Sequence, residues 1–207
     1  MVAAIIRFED SVSTQQQERR VYNVATRYHG LRGGSSNGLR GYFLTYIIAY
    51  LRDFGFNYQF IAESFETTVH FSYVKQLIQN VRQTIYNQAK ALNVRHQPLF
   101  SARVTQIYDT GVCVYFYFGF IWEGLPDPVA IYSKIEHAAR EEILTNHGTI
   151  SHHHGVGKLR SSFMLPTLGH TGMQVLRNIK TAIDPTNIFG SNNLNLTSLS
   201  PQIPGKL

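Results

Sequence analysis

Three consecutive histidines, His152, His153 and His154, are the first residues of this sequence whose types and spacing could do chemistry. Imidazole side chains titrate near neutral pH, so they can shuttle protons or position a polar substrate. An extended backbone would send His152 and His154 to one face and His153 to the other. The sequence therefore predicts a polar site built around this segment.

The residues that follow the histidines fit a binding role. The glycines of Gly155-Val156-Gly157 allow backbone to approach a ligand closely, and Lys158 and Arg160 could offset negative charge. Two alternatives are a surface histidine cluster and a metal site. We expect no metal, because a metal site needs further ligands and His147 is the only other histidine nearby.

A second candidate lies in the aromatic run from residue 112 to 120. If this run is a strand, its period of two puts Tyr115, Tyr117 and Gly119 on one face. The other face then carries Val114, Phe116 and Phe118. A buried tyrosine is usually a hydrogen-bonded structural residue, and the alternation alone leaves Tyr115 open to a structural or a catalytic role.

Arginines and the single cysteine are weaker candidates. Arg52 stands beside Asp53 at the end of an apolar helical segment, where it could bind phosphate or carboxylate or simply pair with the aspartate. The same ambiguity holds for Arg103. Cys113 cannot form an internal disulfide, which suits a reducing compartment, and we interpret it as a small buried core residue.

Composition excludes several classes of protein. Hydrophobic residues make up 43% of the 207 residues and charged residues 15%, which is typical of a globular chain. The formal net charge is +6, but the basic residues are scattered and no nucleic-acid motif is present, so we expect no nucleic-acid partner. No apolar run approaches the roughly 18 residues that a membrane span needs.

The elements that must hold these residues follow from hydrophobic periodicity. Helices are predicted over residues 11–29, 42–54, 71–92, 127–146 and 171–183. Strands are predicted over 2–8, 56–64, 100–108 and 112–122, a glycine-rich loop over 30–41, and a short strand or loop over 149–153. This order predicts an α+β fold, with helices covering an antiparallel sheet that contains one hairpin.

Several segments together resemble one family of enzymes. They are 38–53, 63–67, 103–106, 114–118, 138–144, the Ser-His-His-His-Gly-Val-Gly-Lys-Leu-Arg segment 151–160, and 184–190. Taken together, the sequence resembles the alkyldihydroxyacetonephosphate synthases (alkylglycerone-phosphate synthases), which are flavoenzymes of ether-lipid biosynthesis. The histidine segment is specific to that family, and the resemblance runs from near residue 2 to about residue 194.

The resemblance implies a domain organisation. Residues 1–146 would form the cap, or substrate, domain of a FAD-linked oxidase-type flavoenzyme. Residues 147–190 would form the active-site histidine segment with a C-terminal helical segment, and 191–207 an irregular tail. The cofactor would be FAD, bound mainly by an N-terminal FAD-binding domain that is absent from this chain. We therefore expect the chain by itself to be inactive, and we assign no cofactor-binding residue.

The resemblance also implies chemistry. The family exchanges the acyl group of acyl-dihydroxyacetone phosphate for a fatty alcohol, with no net redox change at the flavin. By position, Tyr115 resembles the base that removes a substrate proton. His153 and His154 resemble the essential histidines, with His152 beside them, and Arg52 resembles the arginine that binds the anionic substrate.

The resemblance allows peripheral membrane contact and a homodimer, and it favours the peroxisome. The C-terminal Gly205-Lys206-Leu207 is a weakened form of the peroxisomal Ser-Lys-Leu signal. Two alternatives stay open. One is part of a FAD-linked 2-hydroxy acid oxidase or dehydrogenase, and the other is a non-catalytic remnant that binds a partner.

Overall fold

The structure, a computed structural model, describes residues 4–8 and 13–196. The chain divides into two compact units, Met1–Tyr58 and Gln59–Leu207. The predicted division of roles at residues 146 and 147 stays a prediction. The Gly-Lys-Leu terminus lies outside the described residues.

The described residues of the first unit contain two helices. Helix α1 spans Thr14–Arg27, and the Oγ of Ser13 caps it by accepting a hydrogen bond from the Gln16 amide at 3.3 Å. Helix α2 spans Gly34–Asn57. Residues 4–8 form no regular element, so the strand predicted over 2–8 is wrong for the described part. No described helix is long and apolar enough to cross a membrane.

The loop predicted over 30–41 is wrong from Gly34 onward, because α2 begins there. The helix continues through Gly38 and Gly41 although each glycine costs a helix about 1 kcal/mol relative to alanine. Gly41 fits because the side chain of Ile5 lies against it, where a Cβ would collide. Local glycine content therefore misled the prediction, and at Gly41 the contact with Ile5 leaves no room for a larger residue.

The second unit is built on a three-stranded antiparallel sheet, which confirms the predicted α+β class. Strands β1 (Phe60–His70), β2 (Leu99–Ile107) and β3 (Gly111–Ile121) lie in the order β1-β3-β2. The hairpin predicted between the second and third strands is present. Strand β1 starts later than predicted and runs on through the polar residues Glu66, Thr67 and Thr68.

Helices α3 (Val74–Ala91) and α4 (Pro128–Thr145) supply the apolar residues that cover one face of this sheet. The side chain of Asp127 caps α4 by accepting a hydrogen bond from the Ala130 amide at 2.9 Å, with Pro128 in the first turn. The fully buried side chains of this core include Phe65, Leu77, Val81, Ile85, Phe116, Phe118, Ile135 and Ile143.

A smaller core anchors the C-terminal part of the second unit. Helix α5 spans Met164–Ile183 and therefore begins before the predicted residue 171, with a kink at Gly169, whose φ is 68°. Met173 of α5 packs with Ile150, Phe163 and Met164. The segment 149–153, predicted as a short strand or loop, is a loop.

Candidate active site

The sheet face opposite the helices carries a polar row across all three strands. Tyr115 of β3 lies opposite Glu66 of β1 on one side and opposite Arg103 of β2 on the other. Tyr117, two residues further along β3, shares the face of Tyr115, and their ring centroids are 5.6 Å apart. The predicted alternation of β3 is therefore confirmed.

Arg103 contacts both tyrosines. Its Nη2 donates a hydrogen bond to the Tyr117 hydroxyl at 2.7 Å. Its Cζ lies 5.7 Å from the ring centroid of Tyr115 and 5.2 Å from that of Tyr117, within cation–π range. Arg103 therefore brings a positive charge to the phenol rings, a role that its sequence context left open.

Glu66 holds the histidine loop on this face. Its side chain is fully buried and accepts hydrogen bonds from three consecutive backbone amides. The His152 amide donates to Oε2 at 2.6 Å, and the amides of His153 and His154 donate to Oε1 at 3.3 Å and 2.9 Å. One carboxylate thus fixes the backbone of all three histidines.

Arg160 closes the same network from the other side of the loop. This buried guanidinium donates through Nη1 to the Gly155 carbonyl at 2.7 Å and to the Ser151 hydroxyl at 2.9 Å. It also lies 3.5 Å from Oε1 of Glu66, and Ser151 donates to the same oxygen at 3.1 Å. The buried carboxylate therefore has both a cationic partner and hydrogen-bond donors.

The pKa of Glu66 reflects this balance. Burial by itself raises this pKa. The opposite effect is larger and comes from the amides of His154 and His152, the Ser151 hydroxyl and the charge of Arg160, so the pKa lies below the ordinary value. Glu66 is therefore a carboxylate at neutral pH, as its acceptor role requires.

Tyr115 meets two of the predicted histidines. Its hydroxyl lies 3.1 Å from Nε2 of His153 and 2.5 Å from Nε2 of His154. The expected placement of His153 on the face opposite its neighbours is wrong, because the loop turns and both rings reach the same phenol. The structure thus brings together Tyr115, His153 and His154, all proposed from the sequence.

Burial raises the pKa of Tyr115, as do the neighbouring Tyr117, Glu66 and Cys113, while Arg103 lowers it by less. Burial lowers the pKa of His154, and the charges of His153, Arg160 and Arg140 add to this, although Glu66 raises it. The phenol is therefore protonated and the imidazole neutral near pH 7.

His152 extends the contacts to a second tyrosine. Its Nε2 lies 2.6 Å from the Tyr108 hydroxyl, and its Nδ1 lies 2.7 Å from Nδ1 of His153. Tyr108, His152, His153, Tyr115 and His154 thus form one continuous chain of hydrogen-bonded groups. Such a chain can relay a proton along its length.

Arg52 lies in the first unit, near the C-terminal end of α2, where its Nε is 3.6 Å from the Asp53 carboxylate. The ion pair considered from the sequence is present. The structure describes the two units separately, so the role of Arg52 in binding substrate stays a prediction.

Glu66 joins the site although no sequence pattern singled it out, whereas Arg103 and Arg160 were weaker candidates whose roles the sequence left open. The signal that could have found Glu66 is a carboxylate within the strand 60–70, but Glu63 lies in the same strand, and the partners of Glu66 lie 85 to 94 positions away in sequence. Only the register of the sheet brings them together.

The residues present fit the reacting side of a flavin site. Gly155 and Gly157 have positive φ of 77° and 52°, and a Cβ at either would meet nothing within 4 Å, so a flat ring could approach the backbone beside His153 and His154. Among residues 4–8 and 13–196, no strand runs through a glycine-rich turn into a helix, the arrangement that cradles a dinucleotide pyrophosphate.

The three-stranded sheet, its helices and the histidine loop define a class of protein. The chain belongs to the family described as FAD linked oxidases, C-terminal domain, which matches residues 9–194. Within that family, the relatives that match this chain carry a more specific name. The chain is 50% identical over 179 residues to an alkyldihydroxyacetonephosphate synthase of Caenorhabditis elegans, which confirms the resemblance proposed from the sequence motifs.

Other relatives carry the same name. A Dictyostelium discoideum protein is 27% identical over 84% of this chain, and a Trypanosoma brucei brucei protein is 28% identical over 72%. Two solved structures of alkyldihydroxyacetonephosphate synthase, 20% and 19% identical, share the fold with TM-scores of 0.55 and 0.53 and cover 82% and 85% of this chain.

The match spans only part of each relative. It covers 30% of the Caenorhabditis elegans protein, 28% of the Dictyostelium discoideum protein and 24% of the Trypanosoma brucei brucei protein. In the two solved structures it covers 27% and 28% of the chain.

Proposed function

We propose that this chain supplies the proton-transfer side of an alkyldihydroxyacetonephosphate synthase site, which exchanges the acyl group of acyl-dihydroxyacetone phosphate for a fatty alcohol. The observation that carries the proposal is the Tyr115 hydroxyl within hydrogen-bond distance of Nε2 of both His153 and His154. A bound FAD would supply the chemistry that holds the substrate carbon during the exchange.

Tyr115 would act as base through His154. Because its own pKa is raised, the phenol must first give up its proton, and Nε2 of His154 lies 2.5 Å away to receive it. Nδ1 of His154 lies 3.6 Å from the Glu66 carboxylate, which favours the hydrogen on Nδ1 and leaves Nε2 free to accept. Glu66, His154 and Tyr115 thus resemble the carboxylate–imidazole–hydroxyl order of a catalytic triad.

Arg103 and His153 would stabilise the phenolate once it forms. The guanidinium of Arg103 over the ring favours negative charge on Tyr115. A hydrogen on Nε2 of His153 would donate to the same oxygen at 3.1 Å. The phenolate could then remove the proton from the substrate carbon that bears the acyl group.

The remaining roles are inferred from the family. We infer that Arg52 binds the phosphate of the substrate, since a guanidinium can form two parallel hydrogen bonds to it. Peripheral membrane contact would suit the lipid substrates. A peroxisomal location would agree with the weak Gly-Lys-Leu signal, and a homodimer is a further expectation. We expect FAD to be held mainly by residues outside this chain.

A chimeric enzyme tests the proposal. The segment of the Caenorhabditis elegans relative that matches this chain would be replaced by the chain itself, and the exchange of labelled fatty alcohol into acyl-dihydroxyacetone phosphate would be measured. We expect exchange without net flavin reduction.

Two results would argue against the proposal. A folded, FAD-loaded chimera without exchange would favour a non-catalytic remnant. Reduction of the flavin by 2-hydroxy acids would favour the oxidase alternative.

A further inference from the structure

Cys113 lies beneath the histidine loop and has no place in the proposed reaction. It precedes Tyr115 by two residues on β3, so it faces the same side of the sheet, and its side chain is fully buried. A ligand nitrogen of His152, one of His153 and the sulfur of Cys113 all lie within 4.8 Å of one another. The sequence lacked a third ligand for a metal, and the fold supplies one.

The three donors match the chemistry of a zinc-type ion. Thiolate together with imidazole selects Zn²⁺ over hard cations such as Mg²⁺ and Ca²⁺. Bonds of about 2.3 Å to sulfur and about 2.0–2.1 Å to nitrogen place tetrahedral donors roughly 3.5 Å apart. The separation of at most 4.8 Å exceeds this by about 1 Å at most, and the exposed side chain of His153 is the one of the three with the most room to move.

The contact between His152 and His153 also supports a metal site. Their Nδ1 atoms lie 2.7 Å apart, which requires a hydrogen on one of them and a lone pair on the other. An ion between these nitrogens and the sulfur would replace that hydrogen bond. The Nε2 atoms of both rings are already engaged by Tyr108 and Tyr115, at 2.6 Å and 3.1 Å.

We propose that Cys113, His152 and His153 form a zinc-type metal site, with the Nδ1 atoms as nitrogen ligands and a fourth position open to water. The Cys113 thiol loses its proton to solvent as its sulfur binds the ion. Each imidazole then carries its hydrogen on Nε2 and donates it to a tyrosine hydroxyl, the outer partner that a metal-binding histidine typically has.

Binding has a consequence that rests on the proposed function. With the hydrogen of His153 fixed on Nε2, Tyr115 can pass its proton only to His154. The ion would thus hold the site in one of its two hydrogen-bonding states.

A cobalt titration of the 207-residue chain, prepared without a histidine tag, tests the site. We expect one Co²⁺ per chain, a thiolate-to-cobalt charge-transfer band in the near ultraviolet, and loss of the band when Zn²⁺ is added. Cys113→Ser should abolish the band. It should also weaken Zn²⁺ binding by at least about 10- to 100-fold, because loss of a residue that only hydrogen-bonds to a metal ligand already has an effect of that size.

His153→Ala should weaken binding similarly, and this exposed residue can be replaced without disturbing the core. The control is His96→Ala, because His96 is an exposed histidine in the connection between α3 and β2. A chain that binds no cobalt, or whose band survives Cys113→Ser, would overturn the proposal. The cobalt band is measured without turnover. A negative cobalt titration would therefore not count against the proposed acyl exchange, and a chimera without exchange would not count against the metal site.

Discussion

Tyr115 stands at the centre of the site because three different groups act on its hydroxyl or ring. His154 offers an acceptor, Arg103 a nearby cation, and Glu66 a buried anion across the strand pair. Burial is the main reason that the pKa of this phenol is raised, and Tyr117 and Glu66 add to it, while His154 still lies within reach to receive the proton. If Tyr115 is the base, as proposed, it must pass its own proton to His154 before it can accept one from the substrate.

Replacing Tyr115 separates chemistry from packing. In the chimeric enzyme, Tyr115→Phe should lower kcat by about 10²- to 10⁴-fold, the usual contribution of a general base. The ring and its contacts remain, so the melting temperature should change little. Tyr117→Phe is the matched control and should retain most activity. Equal losses from the two variants would contradict the assignment of Tyr115.

The pKa of His154 provides a second check. Titration by ¹⁵N NMR should find it below the ordinary histidine value of about 6.5, because burial disfavours the cation. In Glu66→Gln the pKa should fall further, since Glu66 is the one group among its strongest influences that raises it. A higher pKa in the variant would show that the loop has moved away from the carboxylate.

At this scale the sequence predicted much of the site. The family motif located Tyr115 and the three histidines. It could not locate Glu66 as a partner of the loop, because a carboxylate in a strand has no local feature that reveals what it meets across the fold. The sequence likewise could not predict how deeply Tyr115 and His154 are buried, which sets the direction of their pKa shifts.

Strand β1 and the histidine loop behave as one assembly. Besides Glu66, the loop is tied to β1 by Thr149, whose carbonyl accepts from the Thr67 hydroxyl at 2.7 Å and whose hydroxyl accepts from the Thr68 amide at 3.0 Å. The position of the imidazoles therefore depends on the sheet more than on the loop sequence.

Glu66→Gln tests this assembly by unfolding in urea. The change leaves Arg160 buried without its carboxylate, and breaking a buried ion pair typically costs about 3–5 kcal/mol. The exposed Glu63→Gln on the same strand is the control and should change stability by less than about 0.5 kcal/mol. A loss no larger than that of the control would contradict the anchoring role.

The pH dependence has a definite sign. A carboxyl whose pKa is lowered on folding stabilises the protein above its unfolded pKa of about 4.3, and this stability is lost as the pH falls through the folded pKa. The difference in the free energy of unfolding between wild type and Glu66→Gln should therefore become smaller as the pH falls below about 4.3.

Gly148 controls how closely the loop passes the core. A Cβ there would lie 2.6 Å from Ile143, 2.8 Å from Thr67 and 3.0 Å from Leu77. Gly148→Ala should therefore destabilise the chain by about 1–3 kcal/mol, as overpacking does. Gly38→Ala in α2 meets nothing within 4 Å and should be neutral or stabilising by up to about 1 kcal/mol. Thermal unfolding distinguishes the two, and a neutral Gly148→Ala would contradict the close packing.

Across the described residues, the sequence predicted the α+β class and, with shifted ends, each α-helix and strand of the second unit, but not its two short 3-10 helices. In the first unit it predicted α1 and the later part of α2, but it was wrong at two segments. There, glycines suggested a loop where a helix forms, and an apolar run suggested a strand where none forms. Glycine content and a short apolar run are local signals, and neither shows which side chains a segment will meet in the fold, such as Ile5 against Gly41.

Flavin binding is the prediction at this scale. Fluorescence titration of the 207-residue chain with FAD should show no tight, saturable binding, because the described residues include no pyrophosphate cradle. The chimeric enzyme is the positive control. Saturable binding by the chain alone would contradict the expected division of the cofactor site and would call for an immediate assay of acyl exchange.

The row formed by Glu66, Tyr115 and Arg103 has a consequence for how this chain tolerates insertions and deletions. Neighbouring strand residues point to opposite faces, so adding or deleting one residue in β1 or β3 would turn part of the row into the core. A two-residue change would restore the face but pair Tyr115 with different neighbours. The site therefore constrains the length of its strands as strictly as it constrains the identity of its residues, and length variation is expected to concentrate in the connections.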